Sequence, residues 1–156
     1  VHTGLDCIWG FPQVGIDDET AETFTLLTRR GLLRPMVLFF GAKQGPAIFQ
    51  SIMDSTFGHI KGDEGEDFHA IFIDDCNIST EAFDGDDDDA LIERHIRHLE
   101  IFLEAALKRR IQVKSEKSKF AVLGIKILCF ILGGGKRLVD PEKAETLAAW
   151  PEPQSL

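Results

Sequence analysis

Phe49, Ile52, Met53, Phe57 and Ile60 recur at three- and four-residue intervals directly after Gly45 and Pro46. That spacing places all five on one stripe of a helix, and Pro46 suits its first turn, where its missing N–H would be unpaired in any case. A helix with one apolar stripe must bury it against a second layer. Short β-prone runs supply that layer: the residues before Asp6, Thr23–Thr28, Leu32–Phe40 interrupted by Arg34 and Pro35, and His69–Ile73 followed by Cys76–Ser79. The first three are expected to be strands of one sheet, and the last two form a hairpin with Asp74-Asp75 at its turn. Asp86–Asp89 favour the N-terminus of a second, longer helix, where carboxylates meet unsatisfied N–H groups. Its buried stripe is predicted as Ile92, Ile96, Leu99, Phe102 or Leu103, and Ala106, and Lys108, Arg109 and Arg110 complement its C-terminal end. A strand pair around Ile125–Leu132 and Arg137–Val139, turned by Gly133-Gly134-Gly135, precedes a last helix from Pro141. This order gives an α+β domain, a mainly antiparallel sheet with helices packed on one face.

The chain has 156 residues, 44% of them hydrophobic, enough for one core, and a single domain over residues 1–156 is expected. No apolar run is long enough for a membrane span, and the residues after Val1 do not read as a signal sequence. Val1 is not an initiator methionine, so an upstream segment or a larger polyprotein is expected. Cys7, Cys76 and Cys129 are odd in number and lack Cys-x-x-Cys pairing, which points to a reducing intracellular compartment, an organelle reached by a removed targeting peptide among them.

Net charge is −9 and unevenly spread: residues 1–107 hold 21 acidic and 7 basic side chains, residues 108–143 hold 3 acidic and 10 basic. The basic stretch reads either as a wall for nucleic-acid phosphates or as a solvated surface.

Several features invite chemistry that their surroundings do not support. Asp84–Asp89 lacks the glycine and the closing glutamate of a calcium loop. His95 and His98 lie one helical turn apart without an evident third ligand, and read as surface residues. Asp74-Asp75 alone would be two turn-forming aspartates.

The pair gains meaning from what surrounds it. DCIWGFPQVGIDDET from Asp6, LFFGAKQGPAIFQSIMD at 38–54, IFIDD at 71–75 and KSKFAVLGIKILCFILGGGKRLVDPEKAETLAAWPEP at 117–153 follow one another in the order and spacing of the palm motifs of reverse transcriptases. Phe120, Leu128, Asp140-Pro141 and Trp150-Pro151 fall in register. The chain resembles the palm of gypsy-type LTR retroelement enzymes over nearly its whole length.

The resemblance implies a polymerase palm in which Asp6, Asp74 and Asp75 are catalytic and, with the Cys7 carbonyl, hold Mg2+ or Mn2+. It implies that Trp9, Gly10, Phe11 and Phe40 surround the incoming nucleotide, Phe11 lying against its sugar, and that Leu128 and Cys129 form the primer grip. The partner would be an RNA/DNA primer-template, with fingers, thumb and RNase H absent from this chain. Departures from the pattern are Phe72-Ile73 before the aspartates, Phe39 and Ala42 around Phe40-Gly41, Trp9 where a serine is usual and would leave more room, and Cys129 where a glycine lets backbone approach. They leave a second reading beside the polymerase: a non-catalytic structural subunit, bound to protein subunits of a larger complex.

Overall fold

The structure, a computed structural model, describes residues 1–150. Its centre is an antiparallel sheet of β1 (His2–Asp6), β4 (His69–Phe72), β5 (Asp75–Ser79) and β6 (Lys119–Val122), in the order β4-β5-β1-β6. Alternation along β1 sends Thr3, Leu5 and Cys7 to one face, and their neighbours Cys76 and Ile78 on β5 join them. Two helices cover that face: α2 (Gly45–Phe57), with Phe49, Met53 and Phe57 buried, and α3 (Asp88–Lys108), with Phe102 and Ala106 buried. Phe57 and Phe102 stack at 4.2 Å between centroids where the helices meet. The opposite face, carrying Gly4, Asp6, Asp75 and Asn77, is left for the site.

Sequence and structure agree on α2 from Gly45, on α3 with its cap among Asp86–Asp89, and on α4 (Pro141–Ala148); the capping acceptors are Asp87 for α3 and Asp140 for α4. They differ in five places. Helix α2 ends at Phe57, so Ile60 packs on the core from beyond the helix and not from its stripe. The 17–33 region is a short helix α1 (Asp18–Thr23) followed by a separate hairpin of β2 (Leu26–Thr28) and β3 (Gly31–Leu33), not strands of the main sheet. Asp17 accepts the Thr20 amide and Asp18 and Glu19 occupy the first turn, so the acids nucleate a helix that runs up to Thr23, where the strand was expected to begin. The tight turn before β5 is Ile73-Asp74, with Asp75 already in the strand opposite Phe72.

The buried stripe of α3 is displaced toward His95 and His98, each 2% exposed, while Ile92 and Ile96 face outward at 39% and 52%. The histidines can be buried because each finds hydrogen-bond partners on neighbouring elements, which periodicity does not report. Ile125–Leu132 is two strands, β7 (Gly124–Ile127) and β8 (Phe130–Gly133), turned at Leu128-Cys129; with β9 (Lys136–Val139) they form a second sheet. Gly134 and Gly135, at φ 56° and 68°, make the β8–β9 turn.

This sheet stands over the front of the first at one point. A Cβ on Gly4 would lie 2.5 Å from Ile125 Cδ1, so the bare position 4 lets the Ile125 side chain of β7 settle against β1 without turning aside. Pro151, with residues 151–153 of the resemblance, lies outside the described residues.

Candidate active site

Asp6 ends β1 and Asp75 begins β5, and the two are directly opposed in the ladder. Opposed residues project to the same face of a sheet, so both carboxyls belong to the front. Asp74 sits one residue earlier, in the hairpin turn, and its carbonyl accepts the Cys7 amide at 3.1 Å. Burial first, then the charges of Asp74 and Asp6, push the Asp75 carboxyl above the ordinary carboxylate range. Three acids therefore share one end of the sheet and repel one another there. Among the described residues, no three His, Cys, Asp or Glu side chains converge tightly enough to form a preassembled metal centre.

The turn is built from α2. Gln50 Oε1 accepts the Ile73 amide at 2.7 Å, and Ile73 holds φ 56°, an uncommon conformation for a β-branched residue. Trp9 and Leu128 share this left-handed backbone at φ 51° and 53°. Such residues persist only where their surroundings impose them. Gln50 lies inside the stretch whose resemblance was noted, but nothing in its spacing announced that it braces the turn.

Around the acids, the structure brings Gly10, Phe11 and Phe40 together. The Phe11 ring lies 5.2 Å from Phe40 and 5.7 Å from Phe49, and a Cβ on Gly10 would meet Phe49 at 3.3 Å and the Asp74 Cβ at 3.5 Å. Phe40 is 69% exposed, leaving an open aromatic face. Trp9, also exposed, instead lines a groove with Ile8, Pro12, Gln13, Arg110 and Gln112. Gln13 fixes that groove: its Nε2 donates to the carbonyls of Ile8 and Gln112, and its Oε1 accepts the Gln112 amide. Leu128 and Cys129 are exposed at the tip of the β7–β8 hairpin, where the Cys129 carbonyl accepts the Asp140 amide at 3.1 Å. The cysteine side chain points outward, so the turn accommodates it without a glycine.

Between the acids and β7 lies a cavity of about 150 Å3 lined by Asp6, Asp75, Asn77, Lys117, Lys119 and Lys126. Lys117 Nζ is 3.6 Å from Asp6 Oδ2. Lys126 is held at 2.5 Å by Asp140 and 3.2 Å by Glu142. The basic stretch thus delivers cations to the edge of the acidic site, which the charge count alone did not locate. Cys7 and Cys76 lie side by side behind the aspartates, and this contact together with burial keeps the Cys76 thiol protonated. The Cys7 side chain belongs to the core.

An antiparallel sheet backed by two helices, with acids at the junction of an edge hairpin and the next strand, is the α+β architecture of a polymerase palm. Residues 1–132 match the family model described as reverse transcriptase (RNA-dependent DNA polymerase), and the chain belongs to that family. It is 27% identical to the retrovirus-related Pol polyprotein from transposon opus of Drosophila melanogaster, over 99% of this chain and 14% of that protein. With the corresponding polyprotein from transposon gypsy of the same organism it shares 25% identity, over 97% of this chain and 13% of the relative. The fold matches the foamy viral protease-reverse transcriptase in complex with ds DNA at a TM-score of 0.80, with 19% identity, covering 99% of this chain and 25% of that one. The chain thus spans about a seventh of the length of these curated relatives.

Proposed function

We propose that this chain is the palm of a retroelement RNA-dependent DNA polymerase and carries its nucleotidyl-transfer site. The observation that carries this reading is the direct opposition of Asp6 and Asp75 across the β1–β5 ladder, with Asp74 in the adjoining turn. Carboxylate oxygens are the donors that Mg2+ or Mn2+ prefers, and their mutual repulsion, expressed in the raised Asp75 carboxyl, is what a divalent cation would offset. Asp6, Asp74 and Asp75 would hold it, with the Cys7 carbonyl as a further oxygen. Bound there, divalent cations lower the pKa of a primer hydroxyl and balance the charge of departing pyrophosphate.

The remaining roles belong to the chain's own groups. Phe11, braced by Phe49, offers a face for the sugar of the incoming nucleotide, and Gly10 and Phe40 complete that pocket. Leu128 and Cys129 place the β7–β8 tip where a primer strand would lie, and Lys117 and Lys119 supply charge for its phosphates. Residues 1–156 would form this one palm domain, and an RNA/DNA primer-template would be its partner.

A second reading, a non-catalytic subunit of a protein assembly, is favoured by one observation. The β2–β3 hairpin exposes Leu26, Leu27, Leu32 and Leu33, an apolar surface of the kind that marks a protein interface. Primer extension with Mg2+ or Mn2+ separates the two. The polymerase reading expects incorporation that Asp74→Asn and Asp75→Asn each abolish; incorporation indifferent to both substitutions, or none in the unmodified chain, favours the assembly role.

A further inference from the structure

Behind the acidic site, on the core face of the sheet, five side chains form one continuous hydrogen-bonded line. Thr3 Oγ1 lies 2.7 Å from His95 Nε2, His95 Nδ1 is 2.8 Å from Thr80 Oγ1, the same oxygen is 2.8 Å from His98 Nδ1, and His98 Nε2 is 2.6 Å from Glu66 Oε1. Thr3, Thr80 and both imidazoles are all 3% exposed or less. The line begins at a defect in the sheet. Between the pairs His2↔Val122 and Gly4↔Lys119, β6 carries one residue more than β1, and the Ala121 amide donates to Thr3 Oγ1 at 3.1 Å.

The two ends give the line a direction. The Ala121 amide can only donate and an ionised Glu66 carboxylate can only accept, while each hydroxyl has a single proton. One arrangement gives every proton an acceptor. Ala121 N–H donates to Thr3, the Thr3 hydroxyl to His95 Nε2, His95 Nδ1–H to Thr80, the Thr80 hydroxyl to His98 Nδ1, and His98 Nε2–H to Glu66. Both imidazoles are then neutral and of opposite tautomers. A further proton on His95 would point an N–H at the Thr3 hydroxyl proton. One on His98 would leave the Thr80 hydroxyl proton without an acceptor. Either strands a buried polar group.

Thr3 lies on the strand that ends in Asp6, Thr80 follows the strand that begins with Asp75, and both histidines are on α3. We propose that His95 and His98 are positioning residues for the aspartate site, which as neutral tautomers of opposite kind peg β1 and β5 to α3 from the core side. This rests on the reading of Asp6 and Asp75 given above. Charged and titratable groups facing the relay are His2 from β1 and Glu66 from the loop before β4. Burial, ahead of any neighbouring charge, holds the His95 imidazole down to about 4.

The test uses the full chain in three arms. Imidazole 15N shifts near pH 7 should report His95 as the Nδ1–H tautomer and His98 as the Nε2–H tautomer; the reverse assignment, or a doubly protonated ring, overturns the proposal without any substitution. Thr80→Val keeps the shape and removes the shared hydroxyl, and Thr80→Ser restores it. The valine variant should speed amide exchange at Leu5, Cys7 and Cys76 by at least about tenfold relative to Met53 and Phe57 of α2, as loss of both hydrogen bonds to the shared hydroxyl implies. It should also weaken Mn2+ uptake, with the serine variant close to the unmodified chain in both. Equal acceleration in the sheet and in α2 would mean ordinary destabilisation and would sink the positioning role, as would no acceleration anywhere. If the unmodified chain takes up no Mn2+, the aspartate reading fails, and the tautomer and exchange arms still decide the relay.

Discussion

The side-chain carbonyl of Gln50 accepts the amide of Ile73 at 2.7 Å, tying helix α2 to the turn that presents Asp74. Without that acceptor, nothing from the helix compensates the positive φ of Ile73. Gln50→Leu should therefore cost about 1–2 kcal/mol of folding stability, the price of an unpaired amide beside a strained residue. Urea unfolding measures it. Nucleotide incorporation should fall at unchanged primer-template affinity, since the substitution disturbs the acid-bearing turn and not the basic surface.

Asp75 titrates above its unfolded value, so the native state binds protons more readily than the unfolded chain in the window above about 3.8. Its contribution is favourable at acid pH and is lost as pH rises through the folded value. At neutral pH Asp75→Asn is thus expected to raise the urea midpoint slightly. Mg2+ or Mn2+ should stabilise the unmodified chain more than the variant. A lower midpoint for the variant would mean that the carboxylate is anchored by something other than its acidic neighbours.

Gly4 leaves the gap into which Ile125 Cδ1 projects. An alanine there meets only the end of a flexible side chain, which can turn aside. Gly4→Val cannot be absorbed so easily and is expected to cost about 1–3 kcal/mol, as overpacking of a close contact does. Amide exchange in β7 and β8 should rise more than in α2, because the second sheet touches the front of the first through this point.

His95 reverses the acid-side sign of Asp75. Its folded value of about 4 lies below the ordinary 6.5, so the native state takes up fewer protons than the unfolded chain. Its contribution is fully present above about 6.5 and is lost as pH falls toward about 4. The urea midpoint should fall as pH is lowered through that window. His95→Phe, which cannot be protonated, should flatten the slope even if it lowers the midpoint overall.

Local chemistry was enough to locate α2, α3 and α4, because a helical stripe, a capping aspartate and a first-turn proline act within a few residues. The order of the motifs was equally legible, and with it the family and the candidate acids. Sequence spacing did not reveal which face of α3 would be buried. Ile92 and Ile96 were the more apolar choice, yet His95 and His98 occupy the interior because Thr3, Thr80 and Glu66, distant along the chain, accept or donate their hydrogen bonds. Nor could it foresee that β2 and β3 would pair apart from the main sheet, or that Gly4 would admit Ile125. A single sequence thus determined where elements begin and which residue types carry chemistry, for those depend on neighbours a few positions away. Tertiary structure alone decided which polar groups are buried and which acids stand opposed, because both depend on partners that only the folded backbone brings within reach.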